Sequence, residues 1–225
     1  MKYVENTEEI MKGKIDGLIL DVDGTLWDST GLVAKAWTQA VRQGGIEGYS
    51  VEGEQLKQLF GKTMEVIAQE MFPDASQELR DKLMELCCEY EHRVLCEDEC
   101  AICYPGVIEG IRRLSKKLPV FIVSNCQSGY IELFLEKTGL SPYVTDTECY
   151  GNTGRGKGEN IRLVIQRNQL KNPVYVGDTQ GDCDASDEAG VPFIFASYGF
   201  GDPDHMAERI TRFEELDALI EEGIG

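Results

Sequence analysis

Histidine is nearly missing: His92 and His205 are the only two in a chain of 225 residues. Chemistry that needs several imidazoles is poorly supplied. Basic residues are scarce as well, 22 Lys and Arg against 40 Asp and Glu, for a net charge of −18. Such a surface repels nucleic-acid phosphates, and no Lys/Arg-rich tract offsets it, which argues against nucleic acid as a partner. No apolar run approaches membrane-spanning length, which argues against a membrane. The first residues, MKYVENTEEIMKGK, lack the charged-then-apolar order of a secretion signal. The expectation is a soluble, cytoplasmic protein whose eight cysteines are thiols rather than disulfides.

What is present is periodic. Residues 15–22 (IDGLILDV) form a short apolar run of the kind expected of a buried strand. Leu32, Val33, Ala36, Trp37, Ala40 and Val41 then repeat at helical spacing. Further helices are expected near 52–60, 63–72 and 76–96, the last with a capping box from Asp74 and Gln77. No strand pattern occurs from about 30 to 102. After Tyr104-Pro105-Gly106 helix and strand alternate: strands at 119–125, 143–149 (weaker), 173–178, 192–197 and 208–211, helices at 107–117, 128–138, 158–169, 182–189 and from 213. This order predicts an α/β fold, a Rossmann-like parallel sheet with helices on both faces, plus an inserted all-helical unit. The expected division is a core of 1–28 and 103–225 with the insert at 29–102.

Ligands of such sheets sit at the carboxyl ends of the strands. Three strands here end in polar groups: Asp21 and Asp23 after the first, Ser124 and Asn125 after the second, and Asp178 with Asp182 in GDTQGD. Lys157 opens the helix before that last strand. In a parallel sheet these converge. Two like charges 4 Å apart cost about 4 kcal/mol at an effective dielectric near 20, so several carboxylates need cations. A divalent ion with hard oxygen ligands, Mg²⁺, answers that need, and Lys157 adds a second positive charge. Ser124 and amides around Asp23, Gly24 and Asn125 are placed to hold phosphate oxygens. One carboxylate can then attack phosphorus while its neighbour handles the proton. Gly24 lets the chain turn sharply there.

DVDGTL, the VSN strand end, Lys157 and GDTQGD occur in that order. Together they resemble the haloacid dehalogenase superfamily, most closely its phosphoglycolate-phosphatase-like branch, and the likeness spans the chain because the helical block sits where that superfamily inserts a helical cap. The resemblance implies an enzyme, a Mg²⁺-dependent phosphatase acting on a small phosphorylated metabolite through an aspartyl phosphate. It implies Asp21 as nucleophile, Asp23 as acid then base, Ser124 and Lys157 on the phosphoryl group, and Gly24, Thr25 and Asn125 lining the phosphate. It implies that the Asp21 carboxylate, the Asp23 carbonyl and Asp178 hold the metal, with Asp182 supporting it from behind. The acid at position 23 separates the chain from true dehalogenases.

Three readings stand beside this one. The same scaffold serves sugar phosphomutases and pyrophosphatases, and a phosphate-ligand sensor is a non-catalytic alternative. Lys62, in LFGKTMEVI, falls on the expected substrate-facing loop of the cap, where an anion-contacting role and a solvated helix start are equally compatible. His92, Cys96, Cys100 and Cys103 include ligand types suited to zinc, but ordinary thiols at the cap hinge are favoured. Hinges are expected near 28–31 and 100–106, and Trp27 is expected to border the substrate entrance. Oligomeric state, monomer or homodimer, has no signature in the sequence.

Overall fold

The computed structural model describes residues 14–99 and 102–222. A six-stranded sheet runs through it, all strands parallel, in the order β3-β2-β1-β4-β5-β6. These are β1 (Gly17–Leu20), β2 (Val120–Ser124), β3 (Asp146–Cys149), β4 (Pro173–Gly177), β5 (Phe193–Ala196) and β6 (Glu208–Ile210). The central strands are apolar along their whole length because both faces are covered. Leu18, Leu20, Val120, Ile122, Val174 and Val176 point into one cluster; Ile19, Phe121, Val123 and Tyr175 point into the other. That alternation is the strand period of two.

Helices α1 (Thr30–Gln43), α2 (Gly53–Leu59), α3 (Met64–Met71) and α4 (Gln77–Glu97) all lie between β1 and β2, as the sequence predicts. They are followed by α5 (Val107–Leu114), α6 (Tyr130–Thr138), α7 (Tyr150–Thr153), α8 (Lys157–Asn168), α9 (Gln180–Ala189) and α10 (Leu216–Glu222). The first cluster takes Val33 and Trp37 of α1, Ile111 of α5 and Phe134 of α6; the second takes Ile161 and Val164 of α8 and Ala185 of α9. The chain enters and leaves the helical block side by side. Asp28 N–H donates to Ile102 O (2.8 Å), Tyr104 N–H donates to Leu26 O (3.0 Å), and Trp27 pairs with Cys103 in an antiparallel bridge.

Several boundaries differ from the sequence reading. Ser76, not Asp74, caps α4: its hydroxyl accepts from the Leu79 N–H at 3.3 Å, so the expected Asp74–Gln77 box does not form. The strand expected at 143–149 starts only at Asp146, because Ser141–Tyr143 is a 3-10 turn. Helix α5 stops at Leu114, and α9 starts two residues early behind a Thr179 cap. No helix among the described residues is long and apolar enough to cross a membrane.

Register sets the position of the site. Leu20 lies beside Ile122 of β2 and Val176 of β4, so the residues that follow each strand share one level. The strand order reverses direction about β1, which makes its carboxyl end the crevice of the sheet.

Candidate active site

Asp21 leaves β1 with its amide donating to Val176 O (2.9 Å) and its side chain 1% exposed. Lys157, the first residue of α8, is also buried. Its ammonium donates to Asp21 Oδ1 (2.9 Å) and to Asp182 Oδ1 (2.5 Å). Asp178 follows β4. Carboxylate oxygens of Asp21, Asp178 and Asp182 lie within 4.8 Å of one another. The structure thus brings together four of the residues singled out from the sequence, from positions 21, 157, 178 and 182.

The three carboxylates are not equivalent. Asp182 is fully engaged. Its Oδ1 accepts from Lys157 and from the Tyr175 hydroxyl (3.1 Å), and its Oδ2 accepts from the Asp178 and Thr179 amides and the Thr179 hydroxyl. Burial works against the Asp182 anion, but Lys157 and the Thr179 donors outweigh it and hold its carboxyl below the usual range. Asp182 also completes a capping box with Thr179 at the start of α9. Asp178 accepts from the Thr25 hydroxyl (3.1 Å) and the Phe200 amide (2.7 Å). Its burial, then Asp182 and Asp21, push its carboxyl well above the ordinary value. Burial likewise raises Asp21 to about 7 against the pull of Lys157. Asp21 Oδ2 is buried with no hydrogen-bond partner. Lys157, despite its own desolvation, is held protonated by Asp182 and Asp21. Three carboxylates around one ammonium leave the cluster short of positive charge.

Gly24 carries φ +82°, and a Cβ there would run into the Asp178 carboxylate. The turn after Asp23 therefore admits only glycine. Asp23 sits on the other side of that turn. Its Oδ1 accepts from the Tyr130 hydroxyl (2.7 Å), the Ser29 hydroxyl (3.0 Å) and the Trp27 indole N–H (3.0 Å). Burial raises the Asp23 carboxyl to about 6 even against these donors. Trp27 is 1% exposed and edge-on to Tyr130 and Phe134, so it does not border an entrance as the sequence reading expected. Its indole instead donates to Asp23 from within the core.

Asp23, Ser124, Asn125 and Tyr130 line a small cavity between the carboxyl end of the sheet and the helical block, with Lys62 and Glu91 contributed by the block. Its volume is about 30 Å³, enough for a water or two. Asn125 Nδ2 donates across it to Gly61 O (2.8 Å). Lys62 Nζ reaches Glu70 (2.7 and 2.9 Å). Glu91 of α4 is buried; it accepts from the Trp37 indole (2.8 Å) and from Gln127 Nε2 (2.7 Å). Sequence reasoning missed Glu91, Gln127 and Tyr130. A signal existed for Glu91: with Leu83, Cys87 and Leu95 it falls on the buried face of α4, a charge in an apolar stripe. His92 and Cys96 are in contact (3.5 Å); Cys100, from the same expected group, lies outside the described residues.

The model of the family described as haloacid dehalogenase-like hydrolase matches residues 18–196. A phosphoglycolate phosphatase of Vibrio parahaemolyticus is 26% identical over 223 residues, covering 90% of this chain and 96% of that protein. Pyrophosphatase PpaX of Listeria innocua is 24% identical over 220 residues, covering 93% and 98%. Among solved structures, a predicted phosphoglycolate phosphatase from Haemophilus somnus superposes with a TM-score of 0.82 at 17% identity, over 92% of this chain and 99% of that one. With the family match spanning most of its length, the chain belongs to the haloacid dehalogenase-like hydrolases.

Proposed function

We propose that the protein is a Mg²⁺-dependent phosphatase of small phosphomonoesters, and that Asp21 is its nucleophile. One observation carries this reading: Asp21 keeps one oxygen on Lys157 and leaves the other, Oδ2, buried and unpartnered beside Asp178. A buried acceptor without a partner costs about 1–3 kcal/mol unless something else engages it. Hard oxygens, excess negative charge and a missing partner fit a divalent cation, which Asp21 and Asp178 would hold. Bound there, it would neutralise the charge that an approaching phosphate brings.

In this reading an Asp21 oxygen attacks phosphorus and the P–O bond to the leaving group breaks. Asp23 gives its proton to the departing oxygen. Asp23 then takes a proton from water, whose oxygen attacks the aspartyl phosphate and returns Asp21 and inorganic phosphate. The three donors on Asp23 Oδ1 fix the carboxyl and leave Oδ2 for the proton. A carboxyl raised to about 6 is suited to both duties near neutral pH. Lys157 steadies the Asp21 anion, while Ser124 and Asn125 belong to the phosphate side; the Gly24 amide, expected there, donates instead to Trp27 O (2.9 Å), and the Thr25 hydroxyl to Asp178 (3.1 Å). Residues 29–102 act as a cap over the core of 1–28 and 103–225, and Lys62 faces the substrate from it. The cavity is too small for a metabolite, so the cap opens to admit one and closes to exclude water.

The test is phosphate release from a panel of small phosphomonoesters and pyrophosphate with Mg²⁺, repeated in excess EDTA. Turnover of at least one monoester that EDTA abolishes is expected; metal-independent turnover, or hydrolysis of pyrophosphate alone, would replace this reading. Tyr130 provides a finer check. Its hydroxyl lowers the Asp23 pKa, so Y130F raises that pKa further above 6. The alkaline limb of kcat/KM should move to higher pH, with kcat reduced about tenfold. An unmoved limb would remove Asp23 as the acid.

A further inference from the structure

Glu91 has no part in the chemistry just described, yet it is an ionisable side chain, 3% exposed, in the wall of the cavity that Asp23 and Ser124 also line. It reaches there from the middle of α4, the longest helix of the block. Each of its oxygens accepts one hydrogen bond, Oε2 from Trp37 and Oε1 from Gln127. A carboxylate oxygen can accept a second, so Glu91 keeps acceptor capacity toward the cavity. Among the described residues the cavity lining holds one cation, Lys62. The Lys62 ammonium is held on Glu70 (2.7 Å). Asp23 adds another acid to the lining. Burial raises the Glu91 carboxyl to about 8, with Asp23 adding to the rise, so the group is held short of a partner that would favour its anion.

Resting on the phosphatase reading, we propose that Glu91 selects the leaving group: the preferred phosphomonoester presents a hydrogen-bond donor, a hydroxyl or an ammonium, to this carboxylate, and esters ending in a carboxylate are disfavoured. A donor would meet the spare acceptor capacity, and an ammonium would also supply the missing positive charge. A substrate carboxylate brings acceptors but no donor to Glu91, and the nearby lysine is already paired. A site that offers a buried acceptor rejects a group that brings no donor. The inference sets this protein apart from the relatives named for phosphoglycolate, whose leaving group is an acid.

Three esters of equal length separate the possibilities: 2-hydroxyethyl phosphate, 2-aminoethyl phosphate and phosphoglycolate, each assayed with Mg²⁺ beside p-nitrophenyl phosphate. The full-length wild-type protein should show kcat/KM for the hydroxyl or the ammonium ester at least about tenfold above that for phosphoglycolate. Whichever of the two leads identifies the donor. In E91Q the ratio of phosphoglycolate to the hydroxyl ester should rise about tenfold, and the ammonium ester should lose ground to the hydroxyl one. Phosphoglycolate matching or exceeding both others in wild type overturns the proposal without need of a variant. An E91Q protein of unchanged ratios overturns the assignment to Glu91. If none of the four compounds releases phosphate, the phosphatase reading itself falls, which the p-nitrophenyl ester distinguishes from a failure of selection alone.

Discussion

Replacing Asp21 by asparagine is expected to lower phosphate release by about 10³-fold or more and, in the same protein, to raise the thermal midpoint measured without metal at pH 8. The first effect follows from the chemistry. An amide oxygen is a poor nucleophile and cannot form the aspartyl phosphate. The second follows from the electrostatics. Asp21 is buried among acids, with a carboxyl raised to about 7 and an oxygen left without a partner. In the unfolded chain the same group ionises near its ordinary value of 3.8. Between those values the native state binds the extra proton, so the stability of the wild type falls as pH rises from about 4 to 7. Asparagine removes that loss while its oxygen can still accept from Lys157. The gain should be near zero below pH 4 and complete above pH 7, about 1–2 kcal/mol or roughly 3–6 °C for a domain of this size. Calorimetry at pH 4 and pH 8, alongside a phosphate-release assay, measures both effects. Turnover near wild type, or a midpoint that drops at pH 8, would contradict the site described here.

The Lys157→Met substitution should do the opposite to stability. The ammonium is 2% exposed and serves Asp21 and Asp182 together. Removing one member of a buried ion pair typically costs about 3–5 kcal/mol, because the other is left charged and unpaired. Here two carboxylates lose their cation. Lys157 has its pKa raised on folding, so its stabilising contribution is present throughout the range below its unfolded value and is complete at neutral pH. Asp182, whose carboxyl is lowered in the native state, loses the interaction that lowers it, and Asp21 rises further. Both then take up protons on acidification. The penalty measured by urea unfolding should therefore be largest near pH 8 and shrink by half or more toward pH 5. Activity should fall by about 10²–10⁴-fold. A penalty independent of pH would mean that the lysine acts by packing alone.

Much of this arrangement was legible in the residues, for identifiable reasons. Strands β1, β2, β4 and β5 are buried on both faces, so they read as unbroken apolar runs. β3, sequence DTEC, is one of the sheet's two edge strands and only half buried, and it left only a weak trace. Asp21, Lys157, Asp178 and Asp182 could be grouped in advance because each follows a strand or opens a helix at one end of a parallel sheet. Residues placed by tertiary approach escaped. Tyr130 reaches Asp23 from 107 positions away, and Gln127 meets Glu91 across the cavity. Trp27 was misplaced because a large aromatic beside a polar turn carries no mark of whether it faces in or out. The capping residue of α4 was off by two because Asp74, Ser76 and Gln77 all offer cap chemistry within one turn, and only backbone geometry selects among them.

The paired crossing at Trp27 and Cys103 has a bearing on how such proteins diversify. Since the two connections are already joined by backbone hydrogen bonds, everything between them is, to the sheet, one closed excursion. Lengthening a closed excursion costs little: doubling it adds only about 0.6 kcal/mol of closure entropy. The helical block is thus free to gain or lose turns, and to exchange one selecting side chain for another. The strand tips that carry the acidic cluster would scarcely register the change.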